Sequence, residues 1–426
     1  MLPERFTYPF CYVPRPEIVG AAQRLIARID ASEGLRDLFG EGKMMGVLEV
    51  LGPGADEPEF LYGFSGLAAG RSMVDGFVPP VYDTEKLVPA VSAEDSRRIQ
   101  DSLFDRYKVL NGLGQEASIK EIFALRGLVP PGGTGDCAAP KLLNHAFRNG
   151  LKPLAMGEFW YGRSPGREVR EQGRFYPSCT GKCGPLLSWM MQGLDVEPNP
   201  LDKGFSNDCE PRVIFSDEAI IVVSKPAGML SVPGRTAAPS LLGWLQERFG
   251  EVHSCHRLDM DTSGIMVFAR SVTFKTALEL QFASREVRKT YRARLVAPSM
   301  PASAENATRR RDLRKGAHGT VALPLMTDWE DRPRQMVDDE NGKMAVTEYE
   351  VVDTLPDGEV EVIFTPHTGR SHQLRVHAAH SRGLGRPIKG DRLYGDASGG
   401  RLYLHAESIS FRHPVSGEAV SFSATC

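Results

Sequence analysis

Three short segments in the second half of the chain concentrate side chains that could carry out chemistry. Each combines charged or hydrogen-bonding residues with the Gly, Pro or Ser residues that shape turns: they are 225–235, 256–264 and 369–377. The first segment is predicted as a strand that runs into a turn. The second places a carboxylate in a turn between strand-like runs, and the third is unusually dense in cations and hydrogen-bond donors.

The carboxylate of the second segment is Asp259, and the residues alone give it two interpretations. In the first, it forms an Asx turn that holds backbone groups of Thr262 or Ser263, which is the more frequent role of such a residue. In the second, it is a reactive anion that an arginine from elsewhere in the fold keeps ionised, because a nearby guanidinium lowers the pKa of a carboxyl group. Arg375, in the third segment, is the candidate for that arginine.

These segments resemble the motifs of the RluA family of RNA pseudouridine synthases, and the resemblance extends over about residues 212–424. The matching stretches are, in chain order, 225–228, 256–264, 289–291, 369–377, 387–391, 402–406 and 413–414. Several motifs in family order are more specific than one isolated match.

The resemblance implies an α+β pseudouridine synthase fold with an extended, mostly antiparallel sheet, and an isomerase that converts uridine in RNA to pseudouridine. It makes Asp259 the essential catalytic residue, by covalent attack on the sugar or by proton abstraction. It places Tyr291 over the target base and pairs Arg375 with Asp259. Arg257 would fill the gap left by the flipped-out base. The other substrate-binding residues that it implies are His256, Lys225, Arg370, His372 and Leu404. No cofactor or metal is implied for the reaction.

The residues alone leave simpler interpretations open for the supporting side chains. Tyr291 could pack on a sheet, as strand tyrosines commonly do. Arg375 alternates with Leu374 and Val376, so it could be an exposed strand residue. Four histidines invite a metal site but lack evident thiolate partners: His256, His372, His377 and His380. The resemblance accounts for the first three as RNA or structural contacts.

In the first half of the chain, the most informative residues are Cys137 and the pair Cys179 and Cys183. Two cysteines four residues apart at the start of a helix lie on one face and can bind zinc with a third ligand. The order of elements weakly resembles the zinc deaminase fold. However, Ala139 stands where that family has its catalytic glutamate, and the second cysteine pair is one residue wider. The resemblance implies an inactive accessory domain kept for RNA binding or packing; three reduced cysteines without metal are the alternative.

The charge balance excludes a wholly basic protein that binds RNA without selectivity. The 426 residues include 51 Lys and Arg against 54 Asp and Glu, a formal net charge of −3. Local charge is different, because 285–315 holds ten bases against three acids and 370–392 holds six bases against one acid. Such stretches beside an RNA pocket can neutralise phosphates, and the acidic stretch 328–340 partly offsets them in the sum.

Apolar spacing predicts the elements that must position these residues. The predicted helices are 18–29, 92–110 (opened by a capping box at Ser92), 138–148, 184–194, 241–249 and 274–285. The predicted strands include 44–51, 60–64, 153–161, 348–352, 360–364 and 401–405. A polar stretch with several prolines at 195–208 predicts a linker. We therefore divide the chain into a mixed α/β accessory domain, 1–205, and a catalytic domain, 206–426.

Composition also narrows the setting in which the protein acts. No apolar run approaches the roughly 18 residues of a membrane span, the first residues lack a signal-peptide pattern, and seven cysteines in such a chain predict reduced thiols. We expect a cytoplasmic monomer that modifies structured RNA, ribosomal or transfer. Two other functions stay open: a bifunctional synthase and deaminase, which bound zinc would support, and a non-catalytic RNA-binding or assembly protein, which the set Asp259, Tyr291 and Arg375 argues against.

Overall fold

The computed structural model describes residues 2–80, 93–199, 210–234, 239–297, 313–329, 331–395 and 400–425, without the side chains of 93–97. Contacts divide the chain into two compact units. Unit 1 comprises Met1–Pro165, Arg170–Pro200 and Thr327–Arg334, and unit 2 comprises Gly166–Val169, Leu201–Met326 and Gln335–Cys426. Several sequence predictions fall outside the described residues: the domain boundary at 205 and most of the linker, Ser92 of the capping box, Arg235, Glu330 and the bases at 309–311.

Unit 1 is built on a three-stranded antiparallel sheet. Its elements are α1 (Pro16–Asp30), α2 (Glu33–Phe39), β1 (Lys43–Leu51), β2 (Glu59–Phe64), α3 (Ala93–Arg106), β3 (Lys108–Leu110), β4 (Glu116–Ser118), α4 (Ile119–Ala124), α5 (Ala138–Arg148), β5 (Lys152–Tyr161) and α6 (Cys183–Met190). The sheet order is β2–β1–β5, and β3 pairs with β4 in a separate ribbon. Helix α1 buries an apolar stripe with helical spacing, which fixes it against this sheet.

Unit 2 carries a sheet of eleven described strands. Its elements are β6 (Arg212–Ser216), β7 (Ile220–Lys225), α7 (Leu241–Phe249), β8 (His253–Ser254), β9 (Ser263–Ala269), α8 (Val272–Ala283), β10 (Arg288–Leu295), β11 (His318–Thr327), β12 (Gln335–Val337), β13 (Lys343–Thr354), β14 (Val360–Pro366), α9 (Gln373–Ala379), β15 (Leu404–Arg412) and β16 (Ala419–Ser423). The order is β12–β11–β13–β14–β10–β15–β9–β7–β6, with β16 beside β15 and β8 beside β9. The sheet is mostly antiparallel, which confirms the predicted α+β class; β9 and β15 pair in parallel.

Most predicted elements are present with small shifts at their ends, but the strand predicted at 401–405 lies at Leu404–Arg412. One predicted helix end is wrong, and one alternative that the sequence left open is excluded. Helix α3 ends at Arg106 instead of reaching Leu110, because Lys108–Leu110 pairs with β4 as a strand. The third segment is not a strand at Arg375: it forms helix α9, whose residues are all buried. A helix buried on every side has no polar face, so its sequence lacks the period that would identify it. Among the described residues, no helix has the length and apolar character to cross a bilayer.

Candidate active site

The second and third predicted segments meet in one cleft of unit 2, which we call the catalytic cleft. Its volume is about 910 Å³. The residues predicted for the site that line it are Asp259, Tyr291, Arg375, His256, Arg257, Arg370, His372 and Leu404. The fold therefore brings together residues that are more than a hundred positions apart in the chain.

Three neighbouring strands set this arrangement. Strand β15 lies between β10 and β9, and its Ala406 is in register with Tyr291 on one side and with Gly264 on the other. Gly264 has φ +114°, and a Cβ atom there would collide with the backbone of Ala406. Only glycine allows this close approach. The approach brings the turn that precedes β9, which carries Asp259, next to the start of β15, where Leu404 lies.

The turn around Asp259 is held on both sides by the first predicted segment. The hydroxyl of Ser231 donates to the carbonyl of Leu258 at 2.7 Å and accepts from its N–H at 3.0 Å. On the other side, the ammonium of Lys225 donates to the carbonyl of Met260 at 2.9 Å. The backbone carbonyls before and after Asp259 are thus fixed, while the side chain of Asp259 itself stays half-buried at the cleft.

The prediction that Lys225 binds substrate is not what the structure shows. Its side chain is fully buried, and its ammonium donates to three backbone carbonyls, of Pro226, Met229 and Met260, at 2.8–2.9 Å. Burial lowers the pKa of Lys225 to about 7, against the opposing attraction of Asp261 and Asp259. A lysine whose three donors are all used inside the protein has none left for RNA, so it acts as a positioning residue.

Arg375 lines the cleft. The resemblance implies an ion pair between Arg375 and Asp259, but the structure does not show one. It is buried in α9, and its guanidinium forms two hydrogen bonds to Asp391, at 2.8 and 2.6 Å. Burial alone would lower the pKa of Arg375, but Asp391 outweighs it and the net shift is upward, with a smaller contribution from Asp259. Arg375 is therefore a permanent cation that Asp391 holds near Asp259.

Asp391 is a functional residue that the sequence analysis missed. It is fully buried, and besides Arg375 its carboxylate accepts the backbone N–H groups of Leu393 and Tyr394 at 3.2 Å. The hydroxyl of Tyr394 is 2.9 Å from Nδ1 of His372. His372 has φ +50°, a left-handed conformation that is uncommon outside glycine and that often occurs at functional sites. Asp391 belongs to a matched motif, 387–391, so the sequence pointed to this residue. It did not show that Asp391 pairs with Arg375.

The histidines of the motifs act mainly inside the protein. Nε2 of His256 accepts the N–H of Val267 at 3.1 Å, so this nitrogen carries no proton. Burial, helped by Lys289, lowers the pKa of His256 to about 3. His377 is fully buried, which excludes it as an RNA contact, and its ring nitrogens have no hydrogen-bond partner among the described residues. Among the described residues no group of metal ligands includes a histidine.

Tyr291 presents its ring to the cleft from β10. Burial raises the pKa of its hydroxyl, and the negative charge of Asp259 raises it further. The phenol therefore stays protonated at neutral pH and can donate a hydrogen bond or support a proton transfer, but it is not a phenolate.

Four exposed arginines lie along the cleft, and we call them the cationic rim: Arg257, Arg285, Arg288 and Arg370. None of the four is ion-paired with a carboxylate among the described residues. By contrast, Arg292 and Arg294, further along β10, are paired with Glu361 and Asp357. The rim therefore offers charge to an external anion, and Arg285 and Arg288 are the members of it that come from the basic stretch at 285–315.

In unit 1 the three predicted cysteines come together, and we call them the thiol cluster. Cys137 is the N-cap residue of α5, Cys183 is the first residue of α6, and Cys179 lies in the preceding loop. Their Sγ atoms all lie within 4.8 Å of one another. Cys179 and Cys183 do not share a helical face as predicted, because the helix begins only at Cys183. Instead the N–H of Cys183 points to Sγ of Cys179 at 3.4 Å.

Comparison with known proteins assigns the family. The RNA pseudouridylate synthase family matches residues 219–380. Two proteins named dual-specificity RNA pseudouridine synthase RluA, from Escherichia coli (strain K12) and Haemophilus influenzae, are each 42% identical over 218 residues, which are 50% of this chain and 91% of theirs. The solved structure of human RNA pseudouridylate synthase domain containing 1 is 24% identical, covers 54% of this chain and 86% of its own, and has a TM-score of 0.40. On the strength of the RluA relatives, this chain belongs to the RluA family of RNA pseudouridine synthases and is an isomerase.

Proposed function

We propose that this enzyme isomerises specific uridines of structured ribosomal or transfer RNA, with Asp259 as its essential carboxylate and without a cofactor. The observation that carries the proposal is the catalytic cleft, which Asp259, Tyr291 and Arg375 line together with the four arginines of the cationic rim. The relatives are named for a dual-specificity RNA pseudouridine synthase, which supports RNA as the substrate. Its expected place of action is the cytoplasm, as a monomer.

The chemistry needs a carboxylate and little else. Uridine and pseudouridine are isomers, so the glycosidic C–N bond breaks, the base turns over, and a C–C bond to the same sugar forms. No electron leaves the substrate and no group comes from outside. Asp259 either attacks the sugar or removes a proton from it, and both routes require the ionised carboxylate. The cation of Arg375, which Asp391 holds by two hydrogen bonds, lines the same cleft as Asp259.

Tyr291 and Leu404 form the part of the cleft that takes the base. A protonated phenol at Tyr291 can stack on the uracil and donate a hydrogen bond to it. It can take part in removing the proton at C5 only as a relay, by passing its own hydroxyl proton to water as the C5 proton is taken up. Leu404, at the start of β15, adds an apolar wall. Chemistry on a base requires it to leave the stack, and we expect the exposed Arg257, two residues before Asp259, to occupy the gap or to hold the backbone there.

The cationic rim gives the RNA a phosphate-binding surface. Four unpaired arginines around one cleft can each take the place of a phosphate counterion, so binding weakens as salt concentration rises. Such contacts fix the position of the RNA and carry no base sequence. Selectivity then comes from the shape of the RNA that can present a uridine to Asp259.

A map of pseudouridine in cellular RNA tests this proposal. A strain without the gene is complemented with the wild-type chain, with Asp259→Ala, or with Asp261→Asn as a matched control at the neighbouring carboxylate. We expect at least one ribosomal or transfer RNA position to regain pseudouridine with the wild type and the control only. Equal signal from Asp259→Ala, or no position that depends on the wild type, would contradict it.

A further inference from the structure

The thiol cluster of unit 1 is a set of reactive groups that the isomerase reaction does not use. We propose that Cys137, Cys179 and Cys183 bind one zinc ion, which links the start of α5 to the start of α6 and the loop before it. This site is independent of Asp259 and of the proposed RNA substrate.

The distances suit a metal ion. In a tetrahedral zinc–thiolate site, a Zn–S distance of about 2.3 Å places the sulfur atoms about 3.8 Å apart. The three Sγ atoms of the cluster lie within 4.8 Å of one another. To bind an ion, each pair of sulfurs therefore has to approach by at most about 1 Å. Three mutually close thiols also differ from a disulfide, which would bond two sulfurs and leave the third without a role.

Two of the three cysteines lie at the N-terminal ends of helices. Cys137 precedes α5 and Cys183 begins α6, so both sulfurs lie at the positive end of a helix dipole. The backbone N–H of Cys183 also points to Sγ of Cys179. Soft thiolate ligands select zinc over hard cations such as magnesium and calcium.

A buried carboxylate holds the cysteine-bearing segments together. Glu158, on β5, accepts the N–H of Ala139 at 3.2 Å and the hydroxyl of Ser178. These two residues lie immediately beside the cluster, two positions after Cys137 and one before Cys179. Glu158 thus positions both segments in the way that outer residues orient metal ligands.

The ligand set points to a structural ion. Among the described residues, no further His, Cys, Asp or Glu offers an atom to the group, so the fourth position of the ion falls to solvent. Zinc-bound water becomes a catalyst when a neighbouring acid or base handles its protons. Ala139, where the deaminases have their glutamate, supplies none, and the nearby carboxylate of Glu158 is already engaged by the N–H of Ala139 and the hydroxyl of Ser178. The ion would instead order the loop at 179–182, whose Thr180 donates to the carbonyl of Arg332 at 2.6 Å within the same unit.

Metal analysis of the full chain tests this site. The wild type is expressed with added zinc and purified under reducing conditions without chelator, and its metals are measured by mass spectrometry. We expect about one zinc ion per chain, and a loss of at least about tenfold in Cys179→Ser and Cys183→Ser. Cys11→Ser is the matched control, because Cys11 is a buried cysteine of the same unit that does not belong to the cluster; it should keep its zinc.

Measurements on the wild type keep the proposal testable if the cluster variants do not fold. Replacement of the metal by cobalt(II) should give sulfur-to-cobalt charge-transfer absorption and the visible bands of tetrahedral cobalt. Mercurial modification of the thiols should release zinc in proportion to the sulfurs consumed. A wild type without zinc and without these bands, or full zinc in a folded Cys179→Ser variant, would overturn the site. Asp259→Asn should keep its zinc, so the two proposals fail separately.

Discussion

The catalytic cleft of unit 2 and the thiol cluster of unit 1 place their reactive side chains in different surroundings. In the cleft, Asp259 is half-buried and open to a large space, while Lys225, which holds its turn, and the Arg375–Asp391 pair are buried. In the cluster, Cys183 is buried and Cys137 and Cys179 are half-buried, but the three sulfurs face one another within 4.8 Å. The two regions also differ in charge. The cleft has a rim of four arginines around its carboxylate, whereas the cluster consists of three thiols.

The difference follows from the size of what each region binds. An RNA cannot enter a protein interior, so the group that reacts with it must stay accessible, and its orientation has to come from buried partners behind it. A metal ion is small enough to lie among three sulfurs, so its ligands can come from the protein interior and leave only one position to solvent. The two regions therefore predict separate effects of mutation.

The largest effect is expected at the reactive carboxylate. Asp259→Asn should lower the rate of pseudouridine formation by at least about a thousandfold, because an amide can neither attack the sugar nor remove a proton. Single-turnover kinetics on a defined RNA measure the change, with Asp261→Asn as control. If the rate falls equally in Asp261→Asn, the loss in Asp259→Asn comes from damage to the turn and not from the loss of one reactive group.

Breaking the buried ion pair tests whether the cleft depends on its enclosed ions. Asp391→Asn leaves the guanidinium of Arg375 buried without a counter-ion and should destabilise the protein by about 3–5 kcal/mol. Unfolding in denaturant measures this. The control is Asp339→Asn, which removes the exposed partner of Arg382 and should change stability little. Equal midpoints for the two variants would contradict the importance of burial.

The buried His377 should make the fold sensitive to acid. Burial, with a contribution from His380, lowers its pKa from 6.5 to about 4. Between these values the unfolded chain takes up a proton that the folded chain does not, so stability is full above pH 6.5 and is lost as pH falls towards 4. His377→Leu should reduce this slope by about 1.4 kcal/mol per pH unit. Unfolding from pH 7 to pH 4 measures it, and the exposed His318→Gln should leave the slope as it is.

The smallest effect is expected at the rim. Arg288→Ala removes one unpaired cation from the cleft and should weaken RNA binding severalfold, with the slope of log affinity against log salt falling by about one. Binding titrations over a range of salt concentrations measure both. Lys315→Ala is the control, since Lys315 belongs to the same basic stretch but is paired with Asp353. An unchanged slope in Arg288→Ala would remove this arginine from the proposed phosphate surface.

Sequence reasoning located the site through local motifs and erred where partners mattered. Asp259, Tyr291, Arg257 and Leu404 were identified from matched stretches, and all line the cleft. Lys225 was identified as a substrate contact, but its motif marks a buried residue that holds the turn around Asp259. A conspicuous cation in a motif does not reveal whether it faces a ligand or a set of backbone carbonyls, because both environments select a donor.

What the sequence by itself determined is the chemistry available and the family, because motif residues and their order are written locally. Seven short stretches in order were enough to identify an RNA pseudouridine synthase of the RluA family, whereas zinc at Cys137, Cys179 and Cys183 stays a prediction. What only the tertiary structure decided is which groups meet. The Ser263 hydroxyl lies 2.9 Å from the ring of His405, 142 positions away, and Arg375 pairs with Asp391 instead of Asp259. Such pairings depend on strand order and burial, which arise from the packing of the whole sheet and leave no local pattern in the chain.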